Sequence, residues 1–411
     1  MSKPQIDRQM DARVKELITN NSVFLEYPLS EKQSIRKNLP APKNPNSDMS
    51  IWTILKENIG KDLSKISMPV AFNEPISMVQ KHAEFLEYQE VLRQANKELD
   101  EYKRIGLVLS AFYMTFSNSI GRISKPFNSL LGETFELVTD DFELVAEQLS
   151  HHPPVTALYC QTSDFILTST LYLKTKLSLT SFEIFDLGLT TIKLLRTEEV
   201  FEVRPPKANL HNYLLGNPYV WFSEKLTVIN KLTGVSAYVK FKEKGWTSKG
   251  DYKISGGVFS ADKKETIIFK GLWSVELTGK LKDGTSFEFV KRKNSPAGND
   301  KQYMFTEFCM TLNHLSKELV TYLPPTDSRL RPDIRALDYG DIEQSSREKT
   351  RLEQKQRDLR HRLKSEKQEH LPAWFIFQLS DKDFDVKFKN TYFETRKTGK
   401  WPEDLLCLYN K

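Results

Sequence analysis

The feature that most constrains the fold is a change in hydrophobic period at about residue 134. From there on, apolar and polar residues alternate with a period of two, as in the run Val235–Phe241. The dipeptide Asp283-Gly284 separates two such runs, Trp273–Leu281 and Thr285–Val290, which is typical of a β-hairpin. Successive strands with short polar turns predict one large antiparallel sheet, and closure into a barrel is the simplest way to remove its edges.

Helical composition flanks this strand region on both sides. The segment from Ile76 to about Phe116 is rich in Glu, Gln, Lys, Ala and Leu, which favour helix. After the strands, a charged helix is expected from about Ile342 to Glu369, followed by aromatic-rich segments around Trp374 and Trp401. The predicted fold class is therefore mainly β with helices (α+β).

Composition excludes several classes of protein. The chain has 411 residues and a net charge of +6, a mild excess that suits an anionic membrane surface and, without a reading motif, does not indicate nucleic acid. Its three scattered cysteines, Cys160, Cys309 and Cys407, have no metal-ligand spacing and fit reduced thiols in the cytosol. No apolar run is long enough to predict a membrane-spanning helix.

Two patches concentrate residues that can bind an anion. The first runs from Lys125 to Phe135 and contains Asn128 and Glu133. The second is Glu147–Pro154, in which adjacent histidines precede two prolines. Because the prolines hold the backbone extended or turned, both imidazoles can reach one polar spot and donate to an anion. The residues alone leave open an irregular loop with one hydrogen-bonded histidine.

A third patch lies on the late charged helix. Lys349, Glu353 and Arg357 are four residues apart and form a line on one helical face. By itself, such a line is equally typical of a solvated face with i,i+4 pairs. Together, the three patches supply an Arg guanidinium, ammonium groups and imidazoles that can bind a phosphate. They also supply Glu and Asn side chains that can bind hydroxyl groups. This set of side chains suits an inositol phosphate headgroup.

The octapeptide EQLSHHPP resembles the EQxSHHPP fingerprint of the oxysterol-binding protein-related family, and the resemblance extends from about Leu39 to Trp401. Where members of the family often have proline after a Lys-Pro-x-Asn stretch, this chain has Ser129. Further landmarks in the same order along the chain are Ser50–Leu55, Met68–Pro75, Lys125–Asn128, Leu131–Glu133, Asn209–His211, Asp327–Asp333 and Glu348–Arg357.

The resemblance implies a lipid-transfer domain: an incomplete antiparallel barrel around a hydrophobic tunnel, with an N-terminal lid and a C-terminal helical subdomain. The tunnel would hold a sterol or a phospholipid, and phosphatidylinositol 4-phosphate would be the alternative cargo with its headgroup at the mouth. By this resemblance the headgroup is bound by Lys125, Asn128, His151, His152, Lys349, Glu353 and Arg357, with Glu133 as a further candidate.

The expected organisation has four parts: an N-terminal extension and linker (1–48), a lid (49–66), a helical segment with the β-barrel core (67–325), and a charged helix with an aromatic tail (326–411). Periodicity alone leaves open a core helix in place of the lid. Since 48 residues precede the lid, we expect a short form without a pleckstrin-homology domain. The apolar side of the lid would be formed by Trp52, Leu55, Ile59 and Leu63.

The predicted function is exchange of a sterol for phosphatidylinositol 4-phosphate by a cytosolic protein in transient, peripheral contact with anionic membranes. A phosphatidylserine exchanger and a lipid sensor or tether remain alternatives. We expect no catalytic residue, metal or cofactor, because lipase, cysteine-phosphatase and zinc-hydrolase motifs are missing. The segment Glu84–Glu90 partly resembles a motif for binding an endoplasmic-reticulum receptor, but it lacks the second aromatic residue and is better explained as core helix.

Overall fold

The structure is a computed structural model that describes residues 36–45, 68–177, 181–212, 218–242, 252–379 and 384–410. The predicted lid (49–66), with Trp52, Leu55, Ile59 and Leu63, lies outside these residues. Residues 36–45 pack on the body of the protein: the Ala41 amide donates to the Asp338 carbonyl over 3.2 Å, and the Lys43 amide to the Lys301 carbonyl over 2.7 Å. Within the described ranges, no helix is long and apolar enough to span a bilayer.

The predicted N-terminal helical segment is broken into short pieces. A capping box starts the first helix, because the Ser77 hydroxyl accepts from the Gln80 amide and the Gln80 side chain accepts from the Ser77 amide. Asp100 caps the last helix by accepting from the amides of Tyr102 and Lys103. Such capping residues interrupt a composition that otherwise favours continuous helix. The elements are β1 (Asn73–Ser77), α1 (Met78–His82), a 3₁₀ helix (Ala83–Tyr88), α2 (Gln89–Lys97) and α3 (Glu101–Thr115).

The strand region predicted from about residue 134 is confirmed. A short strand, β2 (Lys125–Phe127), pairs in parallel with β1. The main sheet then contains β3 (Thr134–Val138), β4 (Phe142–His151), β5 (Pro154–Thr162), β6 (Phe165–Leu177), β7 (Ser181–Asp186), β8 (Thr190–Leu194), β9 (Val200–Arg204), β10 (Lys207–His211), β11 (Tyr219–Ser223), β12 (Lys225–Asn230), β13 (Ser236–Phe241), β14 (Ile254–Phe259), β15 (Glu265–Leu272), β16 (Glu276–Leu281) and β17 (Ser286–Lys291).

The main sheet is antiparallel but, over the described residues, it does not close. Its strands follow the order β11-β10-β7-β6-β8-β9-β12-β13-β14-β15-β16-β17, and β3, β4 and β5 form a branch that joins at β6. Strand β6 is long enough to pair with β5 and β8 along its first part and with β7 near its end. Closure as a full barrel, expected from the strand pattern, is therefore wrong, and the incomplete barrel implied by the resemblance is confirmed.

Helix α3 fills the space beside the curved sheet. It packs against β12, β13, β14 and β17, and its residues from Arg104 to Met114 are all buried. At Gly106 a Cβ atom would lie 2.4 Å from the Phe289 ring, so only glycine permits this close approach of helix and sheet. The helix thereby forms one continuous core with the sheet.

After the sheet, the chain forms a helical layer and an aromatic cluster. Trp374, Phe375, Tyr392 and Phe393 pack in one cluster with buried residues of β4 and β5, such as Val145. The aromatic tail is therefore part of the wall behind β4. Its elements are α4 (Glu307–Thr311), α5 (Lys317–Val320), α6 (Pro332–Asp338), α7 (Ile342–Glu366), β18 (Phe375–Leu379), β19 (Phe384–Phe388) and α8 (Tyr392–Thr398).

Candidate functional site

A cavity of about 510 Å³ lies between β2, the end of β4 and helix α7. We call it the basic cleft, because cationic side chains predominate among its charged lining residues. All seven predicted headgroup residues line it, although they come from three separate parts of the sequence: Lys125, Asn128, His151, His152, Lys349, Glu353 and Arg357.

The first wall is β2 and the loop that follows it. The Lys125 ammonium donates to the Asn128 Oδ1 atom over 2.5 Å. Burial, with a further contribution from Lys349, lowers the pKa of Lys125 to about 8, and Glu353 partly opposes this shift. Two ammonium groups that disfavour one another's charge are stabilised when an anion binds between them.

The second wall is the tip of the β4–β5 hairpin. The register of this hairpin shifts between Gln148 and Ser150, and His151 pairs with Pro154 across the turn. The shift is a local irregularity of the kind that redirects side chains at the end of a strand. The His151 and His152 rings lie side by side, with their centroids 4.4 Å apart. Both imidazoles therefore reach the same cleft.

The charge state of His151 follows from its surroundings. Burial is the main cause that lowers its pKa to about 4, and the nearby His152 and Arg360 lower it further. A hydrogen bond to the Ser129 backbone and the charge of Glu353 oppose these effects. At neutral pH, His151 is therefore an uncharged imidazole that an arriving phosphate can induce to take up a proton.

The third wall is helix α7. The Lys349 ammonium donates to the Glu353 Oε1 atom over 2.6 Å, an i,i+4 pair on the face toward the cleft. One turn later Arg357 lines the cleft, and its Nε and Nη2 atoms donate to Gln354 at 3.1 and 3.0 Å. The Arg357 side chain is exposed, so its guanidinium can exchange this neutral partner for a phosphate oxygen.

Glu133, the further candidate, does not line the cleft. Its buried carboxylate accepts from the Leu130 amide, from the Ser328 hydroxyl and from Arg331 Nη1 at 2.8, 2.6 and 2.7 Å. The same Arg331 nitrogen donates to the Asn128 carbonyl over 3.0 Å. Glu133 therefore supports the loop that carries Asn128.

Two features join the first patch to the histidine strand. The Gly132 amide donates to the Gln148 carbonyl over 2.9 Å, and the Gln148 amide donates to the Glu133 carbonyl over 2.8 Å. Gly132 has a φ of +77°, and a Cβ atom there would lie 2.9 Å from a Leu406 methyl group. Glycine at this position thus allows the Leu-Gly-Glu turn to dock against β4.

Sequence reasoning missed several residues that line the cleft, including Asn73, Arg331, Gln356 and Arg360. Arg360 follows Arg357 by three residues, so helical spacing was a signal that could have identified it. Arg331 lies in the landmark Asp327–Asp333, but nothing in its spacing indicates that it approaches the cleft. Its Nε and Nη2 atoms pair with Asp333 at 3.1 and 2.7 Å.

The seven predicted residues present a planar guanidinium, two ammonium groups and two imidazoles, together with a carboxylate and an amide. The cations suit phosphate oxygens and the neutral or acidic groups suit hydroxyls. Over the residues that the structure describes, no three His, Cys, Asp or Glu side chains are placed to hold a metal ion. The fold and the cleft together define a protein with a basic site at the edge of a large open sheet, whose side chains are suited to phosphate and hydroxyl groups.

The chain belongs to the oxysterol-binding protein family. The family model described as "Oxysterol-binding protein" matches residues 50–397. The chain is 34% identical to oxysterol-binding protein homolog 2 of Saccharomyces cerevisiae, with 89% of this chain and 30% of the relative covered. It is 36% identical to human oxysterol-binding protein-related protein 3, with 89% and 41% covered. It therefore spans well under half of the length of these two relatives.

Solved structures agree with this assignment. The Osh1 ORD domain in complex with cholesterol superposes with a TM-score of 0.84 at 30% identity, covering 95% of this chain and 99% of that chain. The Osh3 ORD in complex with PI(4)P from Saccharomyces cerevisiae gives a TM-score of 0.80 at 29% identity, covering 92% and 99%. The similarity thus includes nearly the whole of both solved domains.

Proposed function

We propose that this chain is a cytosolic lipid-transfer protein that binds one lipid at a time in a lidded tunnel. It exchanges a sterol for phosphatidylinositol 4-phosphate between two membranes. His151, His152 and Arg357 bind the 4-phosphate, and Lys125 and Asn128 bind the other phosphate and neighbouring polar atoms. Lys349 and Glu353 orient the inositol ring.

The convergence of the seven residues on one cleft is the observation that supports this proposal most strongly. Their side chains are separated by more than 200 residues in sequence, yet all line a cavity of about 510 Å³. A phosphate that enters the cleft offsets the repulsion between Lys125 and Lys349 and raises the proton affinity of His151. Both changes favour binding of the anion. A solvated helical face would not require this arrangement.

The cargo assignment is supported by the ligands of the similar structures. The matches include an Osh1 ORD domain in complex with cholesterol, another with ergosterol, and an Osh3 ORD in complex with PI(4)P. By analogy, we assign a sterol and a phosphoinositide to the same tunnel. Because the two compete for one space, loading of one displaces the other by mass action.

Exchange can be close to neutral in free energy. Burying about 400 Å² of apolar lipid surface at about 25 cal/mol/Å² contributes roughly 10 kcal/mol, which offsets what the lipid loses on leaving the bilayer. The direction of net transport then comes from the phosphoinositide gradient between the membranes. Transport requires no catalytic residue and no cofactor in this scheme.

The test is lipid loading followed by native mass spectrometry. The protein is incubated with liposomes that contain sterol, phosphatidylserine and phosphatidylinositol 4-phosphate. We expect one-to-one loading with the phosphoinositide, displaced by sterol. The double variant His151→Ala/His152→Ala should not load the phosphoinositide, whereas His361→Ala, an exposed histidine of α7 outside the cleft, should load it normally.

The remaining outcomes decide between functions. Displacement of the phosphoinositide by phosphatidylserine in place of sterol would identify a phospholipid exchanger. Loading without transfer from donor to acceptor liposomes would identify a sensor or tether. Unchanged phosphoinositide loading in the double variant would contradict the assignment of the basic cleft.

Membrane contact in this proposal is peripheral and driven partly by charge. Each Lys or Arg close to an anionic surface contributes about 1 kcal/mol, and the effect is screened by salt. A receptor interaction through Glu84–Glu90 has no structural support, because this segment lies in or beside the buried 3₁₀ helix Ala83–Tyr88.

A further inference from the structure

A second cavity, of about 350 Å³, lies on the neighbouring face of helix α7. It is bounded by α7, by the loop after β2 and by the C-terminal segment around Cys407. Its volume is within the range of small-molecule sites, about 300–1,000 Å³. Most of its walls are leucine side chains, so we call it the leucine cavity: Leu130, Leu131, Leu352, Leu359, Leu406 and Leu408.

Two cations of α7 line the leucine cavity. Lys355 and Arg362 are seven residues apart and therefore project from the same side of the helix. The Lys355 ammonium donates to the Asn410 carbonyl over 2.8 Å, which leaves its charge without a carboxylate partner among the described residues. Burial and the charge of Arg351 lower the pKa of Lys355, so this ammonium is partly desolvated.

The acidic residue of the cavity does not neutralise these cations. Asp358 accepts from Gln354 Nε2 over 2.7 Å. Over the ranges that the structure describes, no ion pair joins Asp358 to Lys355 or Arg362, and the cavity keeps a net positive charge. An incoming anion would therefore meet complementary charge.

Gln356 connects the leucine cavity to the basic cleft, because it lines both. Its Oε1 and Nε2 atoms are buried, and neither has a hydrogen-bond partner among the described residues. A buried amide without partners costs free energy, and a polar ligand group beside it would recover that cost.

We propose that the leucine cavity binds a single-chain anionic amphiphile, such as a fatty acid or a lysophospholipid. Its chain packs among the leucines, and its acidic group pairs with Lys355 and Arg362. This site adjoins the basic cleft and shares Leu130, Leu352 and Gln356 with it, but Lys355, Arg362 and Cys407 line the leucine cavity and not the cleft. The proposal therefore stands independently of the proposed lipid exchange.

Cys407 provides a direct reporter for this site. It lines the cavity and is exposed, whereas the other two cysteines of the chain, Cys160 and Cys309, are buried. A maleimide should therefore react with Cys407 first, and intact-mass spectrometry measures the rate. We expect oleate, below its micelle concentration, to slow this labelling at least about fivefold, because the bound chain covers the thiol.

Variants and related amphiphiles test whether binding requires Lys355 and Arg362 and which acidic group is bound. Lys355→Gln combined with Arg362→Gln should raise the oleate concentration for half-protection at least about tenfold, corresponding to the loss of charge-assisted contacts. Lys364→Gln, an exposed lysine of the same helix outside the cavity, is the matched control and should not change it. Oleate and lysophosphatidic acid, tested separately, distinguish a carboxylate from a phosphate headgroup.

Four results would overturn the proposal. The first is no protection of Cys407 in the unmodified protein, which does not depend on any variant folding. The second is equal protection by oleyl alcohol, which has the chain without the charge. The third is equal protection by inorganic phosphate, which has the charge without the chain. The last is an equal loss of protection in Lys364→Gln.

Discussion

The protonation of His151 should make headgroup binding depend on pH. Without bound lipid, burial and neighbouring cations hold its pKa at about 4, against an ordinary value of 6.5. A bound phosphate raises this pKa, because it stabilises the imidazolium ion. The complex therefore takes up a proton that the free protein does not carry at neutral pH, and lower pH favours binding.

The size of this effect follows from the shift. A difference of about 2.5 pH units corresponds to about 3.4 kcal/mol, since one unit is about 1.36 kcal/mol. His151 is only partly buried, so solvent screening reduces the usable part to about 2 kcal/mol, or about 30-fold in affinity. This gain can appear only between the pKa of the complex and about pH 4.

The assay compares the protein with His151→Gln at pH 8.0 and pH 5.5, using a soluble short-chain phosphatidylinositol 4-phosphate. The phosphate itself has a second pKa near about 6, which weakens binding at low pH. That contribution is the same for both proteins and cancels in the ratio of their dissociation constants. With a pKa of about 6.5 in the complex, only about one pH unit of this gain lies above pH 5.5, so we expect the ratio, variant over unmodified protein, to increase by up to about tenfold on acidification.

The stability of the lipid-free protein supplies an independent check. The folded-state pKa of His151 is depressed, so below pH 6.5 the unfolded state takes up a proton that the folded state does not. The free energy of unfolding is therefore unaffected by this group above pH 6.5 and decreases as the pH falls toward 4. His151→Gln should remove about 2 kcal/mol of this acid-dependent loss in urea unfolding. A ratio of dissociation constants that stays constant from pH 8.0 to 5.5 would refute the reasoning, whatever the stability data show.

Three further predictions concern helix α7, the support of the cleft and the core. Lys349→Ala should weaken phosphoinositide binding at least about tenfold in a liposome extraction assay, because a charge-assisted contact is lost; equal weakening in the exposed-surface control Arg347→Ala would contradict a specific role. Arg331→Met should lower the free energy of unfolding by about 3–5 kcal/mol in urea, since it leaves two buried carboxylates without their partner. Gly106→Ala should lower it by about 1–2 kcal/mol, because the clash with the Phe289 ring outweighs the gain in helix propensity; an unchanged midpoint would show that the ring moves aside.

Local patterns in the sequence were enough to predict several of the elements. The two-residue period predicted β13 and the hairpin at Asp283-Gly284, because alternation reports directly on which face of a strand is buried. The helical period predicted α7, which ends at Glu366 where Lys367 takes a left-handed conformation. Breaks within the earlier helical segment were not predicted, because capping residues such as Asp100 act on individual amides and leave composition unchanged.

The family and the identity of the cleft residues also came from the sequence, since an octapeptide with landmarks in the same order is specific. What only the tertiary structure decided is which residues share a surface. It placed Arg331 and Gln356 at the cleft and Glu133 behind it, and it left the main sheet open over the described residues. Periodicity describes neighbours along one element, whereas these contacts depend on loop closure and on packing between elements distant in the chain.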